Sequence, residues 1–154
     1  MTVRIITDEA EKKDISSQIL GSLPDRAYAS KAVASCMEQN IVMPFIAAFD
    51  NDTPVAFLAI MYLAPMSAEI HVMEALPQYR RKDIGEALVA SFIDCCKERR
   101  LNLLYAKPLD NHPNENYEKI CHFYSEMGFM PFDLWAAQHG VVDSCDVMAM
   151  RLYY

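Results

Sequence analysis

Three adjacent cations, Arg80, Arg81 and Lys82, stand immediately before Asp83, Ile84, Gly85 and Glu86, at a point where apolar residues begin to recur with a helical period. The start of a helix carries unpaired backbone N–H groups and the positive end of the helix dipole, a combination that favours an anion the size of a phosphate. Gly85 has no Cβ, so a ligand is expected to come close to the backbone there. In a chain with a net charge of −7 and 14 Lys and Arg residues in all, three of them side by side make a local positive patch. The same features also fit a solvated basic loop capped by Asp83. The segment has neither the G-x-x-x-x-G-K-[ST] pattern nor the three glycines of a dinucleotide turn, so ATP and NAD find no support.

Proton-transfer groups stand on either side of this turn. Tyr124 shares a helical stripe with Ile120, Phe123 and Met127, which suits a core ring as well as a placed phenol. Glu69 and His71 lie on a strand, and simple alternation puts them on one face with Ile70 and Val72 on the other. Such a pair reads equally as a solvent-facing polar couple or as a base. Glu74 and His122 are further candidates, and the spacing of the histidines suggests no metal.

The elements that must hold these groups follow from the pattern of the chain. Val3 to Ile6 is a short apolar run, and Asp8 with Glu11 reads as a capping box opening a helix to about Leu20, ended by Gly21 and Pro24. A second helix is expected over Asp25 to about Gln39. Phe45 to Phe49, Val55 to Leu63 and Ala68 to Ala75 read as three consecutive antiparallel strands, the first two joined by the turn formers Asp50 to Pro54. Ile84 to Arg100 has apolar residues at 84, 88, 92, 95 and 96 and closes on Lys97, Arg99 and Arg100, as a helix C-terminus favours. A strand over Leu101 to Ala106, a helix around Tyr124 with Gly128 at its C′ position, and strands over Phe129 to Trp135 and Cys145 to Leu152 complete the order. This predicts a mixed sheet with helices on its faces.

At 154 residues the chain is expected to form one domain over 1–154, a size that buries roughly 68 to 70% of its unfolded surface. The acidic balance disfavours nucleic acid as a partner. Apolar stretches such as Val55 to Leu63 fall short of a membrane span, and the N-terminus has no leader layout, so a cytoplasmic protein without a membrane partner is expected. Five cysteines without C-x-x-C spacing suggest reduced thiols.

From Ile70 through Phe129 the chain resembles the GNAT superfamily of N-acetyltransferases. Its coenzyme motif, R/Q-x-x-G-x-G/A after a strand, is matched by Arg80-x-x-Asp83-x-Gly85. Pro77 and Tyr79 stand where the family often has PEYR, and Asn116 to Phe129 looks like the second motif, which ends fYekmGF. Small bacterial members look alike in ILGSLP, PFIAAFDNDTPVAFLAI, AEIHVM and HPNENYEKICHFYSEMGF.

The resemblance implies an α/β (α+β) fold, with a mostly antiparallel sheet of about six to seven strands and helices on both faces. It implies direct transfer of acetyl from acetyl-CoA to a primary amine of a small molecule or protein, by a monomer or homodimer without a metal. The alternative is a coenzyme A-binding regulatory module that has lost turnover. The pyrophosphate would lie on the amides of Arg81, Lys82, Asp83, Ile84, Gly85 and Glu86, with Arg80 and its basic neighbours as phosphate contacts. The pantetheine would pair as an added strand with Met73, Ala75 and Leu76. Asn116 and Tyr124 belong to the same coenzyme site, with Tyr124 as the acid that protonates the leaving thiolate and Glu69 as the first candidate for the base. The acceptor would border Ser22 to Asn40 and Trp135 to Gly140, where LPDRAYASKAV lacks the Trp-Phe-Gly common among the apparent relatives.

Asp83 replaces the first glycine of the motif. Asp tolerates a left-handed backbone and can cap a helix. Its charge, at about 6 Å from a phosphate and an effective dielectric of about 20, would cost roughly 3 kcal/mol before screening. Weaker coenzyme binding is the expectation, offset locally by the three cations.

Overall fold

A computed structural model describes residues 1–23, 44–107, 115–131 and 147–154. The chain opens with β1 (Thr2–Ile6) and α1 (Glu9–Gly21), then runs through β2 (Phe45–Asp50), β3 (Thr53–Ala64) and β4 (Ser67–Ala75). A 3-10 turn (Pro77–Tyr79) leads into α2 (Lys82–Glu98), followed by β5 (Leu103–Ala106), α3 (Glu115–Glu126), β6 (Met130–Pro131) and β7 (Met148–Arg151). The seven strands form one sheet in the order β1-β2-β3-β4-β5-β7-β6, antiparallel throughout except for the parallel pair β4 and β5. The expected helix over 25–39 lies outside the described residues. So do the acceptor-side segments beyond Leu23 and at 135–140.

Local chemistry accounts for the boundaries. Asp8 accepts a hydrogen bond from the Glu11 amide at 2.8 Å, the N-cap half of the expected capping box, and α1 runs through Gly21. α2 ends where Arg100 turns left-handed at φ 56°, with the Leu101 amide bonded back to the Cys96 carbonyl at 3.0 Å. α3 ends in the same way at Gly128, φ 100°, with the Phe129 amide on the Tyr124 carbonyl at 3.0 Å. A Cβ at Gly128 would also meet Met150 Cε at 3.0 Å, so both backbone and packing call for glycine there.

Both faces of the sheet are covered, which is why β2 and β3 read as continuous apolar runs. On one face Ile84, Leu88, Val89, Phe92, Cys95 and Cys96 of α2, with Tyr124 and Phe129, pack against Ile46, Leu58, Ile60 and Leu104. On the other, Ile15, Ile19 and Leu20 of α1 pack against Phe45, Phe57, Met61 and Val72. Among the described helices, none is long and apolar enough to cross a membrane.

The strand that carries Glu69 departs from simple alternation. Ala59 pairs with Val72 and Ile60 with Ile70, so His71 is an extra residue, a β-bulge. Ile70 therefore faces the α2 side while Val72 faces the α1 side. Glu69 lies opposite Met61, on the same side as Val72. The expected grouping of Ile70 with Val72 against Glu69 and His71 is thus corrected, because the bulge resets the two-residue period.

Candidate active site

β4 pairs with β5 from Ser67 opposite Leu103 to Ile70 opposite Ala106, and β4 then continues five residues further, to Ala75. Along this last stretch, among the described residues, no strand pairs with its β5-side edge. The Leu76 amide donates to the Val55 carbonyl at 2.9 Å. In an antiparallel ladder, bonded and non-bonded pairs alternate, so Glu74 and Val72 also turn their backbone groups toward β3. The N–H and C=O of Met73 and Ala75 face the open edge. Two of the three expected strand residues thus turn backbone groups to this edge. Leu76 spends its amide inside the sheet and offers an apolar side chain.

Arg80 turns back over this edge. Its Nε donates to the Ala75 carbonyl at 3.3 Å, and its guanidinium lies 3.9 Å from Glu74 Oε2. The chain then makes an inverse γ-turn at Arg80 (φ −74°, ψ 65°), with the Arg81 amide on the Tyr79 carbonyl at 2.7 Å. Arg81 is the N-cap of α2, and its carbonyl accepts from the Ile84 and Gly85 amides at 3.2 and 3.3 Å. The predicted helix start is present, and the open edge of β4 leads to it.

Asp83 is neither the cap nor a left-handed residue. It sits in the first helical turn, where a glycine's freedom is not required. Arg81 grips it in a fork, Nε to Oδ1 at 3.1 Å and a terminal nitrogen to Oδ2 at 2.8 Å. These bonds hold the exposed Asp83 carboxyl below the usual carboxylate range, with help from the amides of Asp83 and Ile84. The negative charge that stands in the motif is thus matched by a cation two residues away.

Gly85 serves packing. A Cβ there would come within 3.1 Å of Phe123 Cζ, so glycine lets α3 press onto the first turn of α2. The side chain of Ile84 is core, and it can serve an anion only through its amide. Glu86 lies half-buried in the same turn. The side chains of Lys82 and Asn116 lie outside the described part of the structure.

Tyr124 follows Phe123 on α3 and is 5% exposed, its ring edge-on to Phe123 at 5.2 Å and to Phe129 at 5.6 Å. Burial pushes its phenol well above the ordinary tyrosine range, so the hydroxyl keeps its proton. Glu69 is 3% exposed. Its Oε1 lies 3.0 Å from His71 Nδ1, and Lys107 Nζ stands 3.0 Å from Oε2. The lysine contact is an ion pair whose geometry falls short of a directed hydrogen bond. Burial alone would raise the Glu69 carboxyl, but the pull of His71 and Lys107 outweighs it and leaves the group below its usual range. Among the described residues no group of three or more His, Cys, Asp and Glu side chains could hold a metal ion.

Two features had no sequence signal. Lys107 reaches Glu69 only because β4 and β5 run parallel in this register. Tyr79 donates from its hydroxyl to Asp50 Oδ2 at 2.7 Å, tying the 3-10 turn to the β2–β3 hairpin 29 residues away. Since the Tyr79 backbone also bonds on both sides of the turn, this contact sets where the α2 amides stand. Tyr79→Phe is expected to lower the melting temperature by about 2 to 4 °C, checked by thermal unfolding.

A sequence model of the Acetyltransferase (GNAT) family matches residues 14–129. No curated protein matches the sequence. Solved structures share the fold. An aminoglycoside 6'-acetyltransferase type Ii superposes with a TM-score of 0.73 at 22% identity, over 100% of this chain and 99% of the other. The aminoglycoside 6'-N-acetyltransferase from Enterococcus faecium gives 0.69 at 17%, over 100% and 98%. The PaiA N-acetyltransferase from Thermoplasma acidophilum, solved with coenzyme A, gives 0.65 at 17%, over 99% and 100%. With the family match running from within α1 to the residue that closes α3, the chain belongs to the GNAT family of acetyltransferases.

Proposed function

We propose that this protein transfers acetyl from acetyl-CoA directly to a primary amine of a small molecule or a protein. The observation that carries the reading is the edge of β4 at Met73 and Ala75, which no strand pairs among the described residues and which leads to the N-terminus of α2. An extended amide-bearing arm fits the first as an added strand, and a pyrophosphate fits the second. A solved structure of the same fold holds coenzyme A, which supports that class of ligand.

In this reading the backbone at Met73 and Ala75 orients the pantetheine. The amides of the first α2 turn take the pyrophosphate, with Arg80 and Arg81 close by. The acceptor arrives as an ammonium and loses one proton to the cluster built on Glu69. The neutral amine forms the C–N bond as the C–S bond breaks. Tyr124 gives its phenolic proton to the departing sulfur and recovers one from the new amide nitrogen. The products are the acetylated amine and the free thiol. The uncombined thiols of Cys95, Cys96 and Cys121 support a reducing, cytoplasmic setting.

Calorimetry with acetyl-CoA tests the coenzyme assignment. Binding is expected for the wild-type chain, and Asp83→Gly is expected to tighten it by about two- to fivefold, since an exposed charge already paired to Arg81 contributes little. Absence of heat from both forms would sink the assignment. Thiol release on a panel of amines then tests transfer; binding without turnover of any amine would leave a coenzyme-binding module instead.

A further inference from the structure

Three segments meet at the end of the sheet away from the Met73 and Ala75 edge. The Asn102 and Leu103 amides donate to the Met66 carbonyl at 2.7 and 3.2 Å, which joins the turn between β3 and β4 to the start of β5. The Leu152 amide donates to the Asn102 carbonyl at 2.9 Å, and the Tyr154 hydroxyl donates to the Leu101 carbonyl at 2.7 Å, which adds the residues after β7. β4 runs from Ser67 at this end to Ala75 at the other, roughly 25 Å at about 3.3 Å per residue. We propose that this end docks an acidic segment of a partner protein, with one apolar side chain of that segment seated between the β3–β4 turn and the end of α2. The site is independent of acetyl transfer.

The first observation behind it is apolar exposure. Of the seven large hydrophobic side chains exposed among the described residues, four are here: Leu63, Met66, Tyr153 and Tyr154, the last two at 79% and 61%. Single apolar side chains on a surface need no explanation, but a cluster of them marks a place of interaction. A hollow of about 390 Å³ beside them is lined by Tyr62, Leu63, Pro65, Arg99 and Leu101, and it has room for an aromatic or long apolar side chain.

The second observation is charge. Residues 62–66, 97–102 and 151–154 carry four cationic side chains, Lys97, Arg99, Arg100 and Arg151, against the one carboxylate side chain of Glu98, in a chain of net charge −7. Each arginine lies over a tyrosine ring: Arg99 over Tyr62 at 5.2 Å, Arg100 over Tyr154 at 5.6 Å and Arg151 over Tyr153 at 5.3 Å. The rings restrict the guanidinium groups before a partner arrives, so less freedom is lost when a carboxylate enters the fork. Tyrosine and arginine are also the residues that concentrate binding energy at protein interfaces.

Charge decides the kind of occupant as well. A second copy pairing through the same face would set four cations against four, which opposes association. A nucleic acid would extend beyond the patch into the field of an acidic chain. A short acidic segment touches the patch alone.

The probe is a fluorescently labelled random copolymer of glutamate and tyrosine, with poly-glutamate and a lysine–tyrosine copolymer as controls. The wild-type chain is expected to bind it about tenfold more tightly than either control, with amide hydrogen exchange slowed over 62–66, 97–102 and 151–154. Arg99→Glu/Arg100→Glu is expected to lose about tenfold in affinity and Arg151→Glu about threefold, both with acetyl-CoA calorimetry unchanged. The three arginines are exposed, so circular dichroism of both variants is expected to match the wild type. Absence of binding by the wild type overturns the proposal, as does equal affinity of the double variant or slowed exchange centred on Arg80 to Lys82. Equal binding of poly-glutamate would remove the apolar seat and with it the proposal. Self-association in sedimentation velocity that Arg99→Glu/Arg100→Glu abolishes would give the face to a second copy of the chain instead. Random single-stranded DNA that binds the same segments more tightly than the copolymer would make it a nucleic-acid surface.

Discussion

Replacing Tyr124 by Phe is expected to lower kcat about 100-fold while leaving acetyl-CoA affinity within about twofold of wild type. The physical case rests on burial. The ring is packed edge-on against Phe123 and Phe129 and is 5% exposed, so phenylalanine keeps the shape and the contacts. What it removes is one hydroxyl whose proton burial has made hard to lose. A phenol that stays protonated is available as a donor, and a thiolate leaving from a broken C–S bond is what needs one. Thermal unfolding separates this from damage to the fold, since the variant should melt within a few degrees of the wild type. An unchanged turnover rate would remove the acid role from Tyr124.

Met73→Pro is expected to weaken acetyl-CoA binding about tenfold and to leave the fold intact, whereas Glu74→Pro should unfold the chain or lower its melting temperature sharply. The contrast follows from which way each amide points. Leu76 donates to Val55, so the alternating ladder turns the Glu74 amide into the sheet and the Met73 amide out to the open edge. Proline at 74 deletes a bond between β4 and β3; proline at 73 deletes a donor that faces no strand among the described residues. Calorimetry with acetyl-CoA and circular dichroism on both variants give the answer. Equal binding by Met73→Pro and wild type would show that the edge does not hold the pantetheine.

Much of this architecture was legible before any coordinates. The three strands over 45–75 needed only short-range pattern, because both faces of the sheet are covered and the runs are apolar throughout. The α1 start at Asp8 and the α3 end at Gly128 are written in capping residues that act within one turn. The start of α2 was legible for a similar reason, since apolar residues recur from Ile84 with a helical period. At Asp83 the motif leaves out a partner: Arg81, two residues before it, folds back in a fork.

What the amino-acid sequence determined by itself, then, is the order of the elements, their caps and the GNAT motifs at 80–85 and 116–129, all of them local or periodic signals. Tertiary structure alone decided the chemistry that depends on pairing. The bulge at His71 exists only as a mismatch between β3 and β4, and it moves Val72 to the face that alternation denies it. Lys107 meets Glu69 through the parallel register of β4 and β5, Phe123 fills the space that Gly85 leaves, and Asp50 reaches Tyr79 across a hairpin. Each is a contact between residues distant in the chain. A one-residue change in register would abolish it without altering any local preference, so no reading of nearby residues could have supplied it.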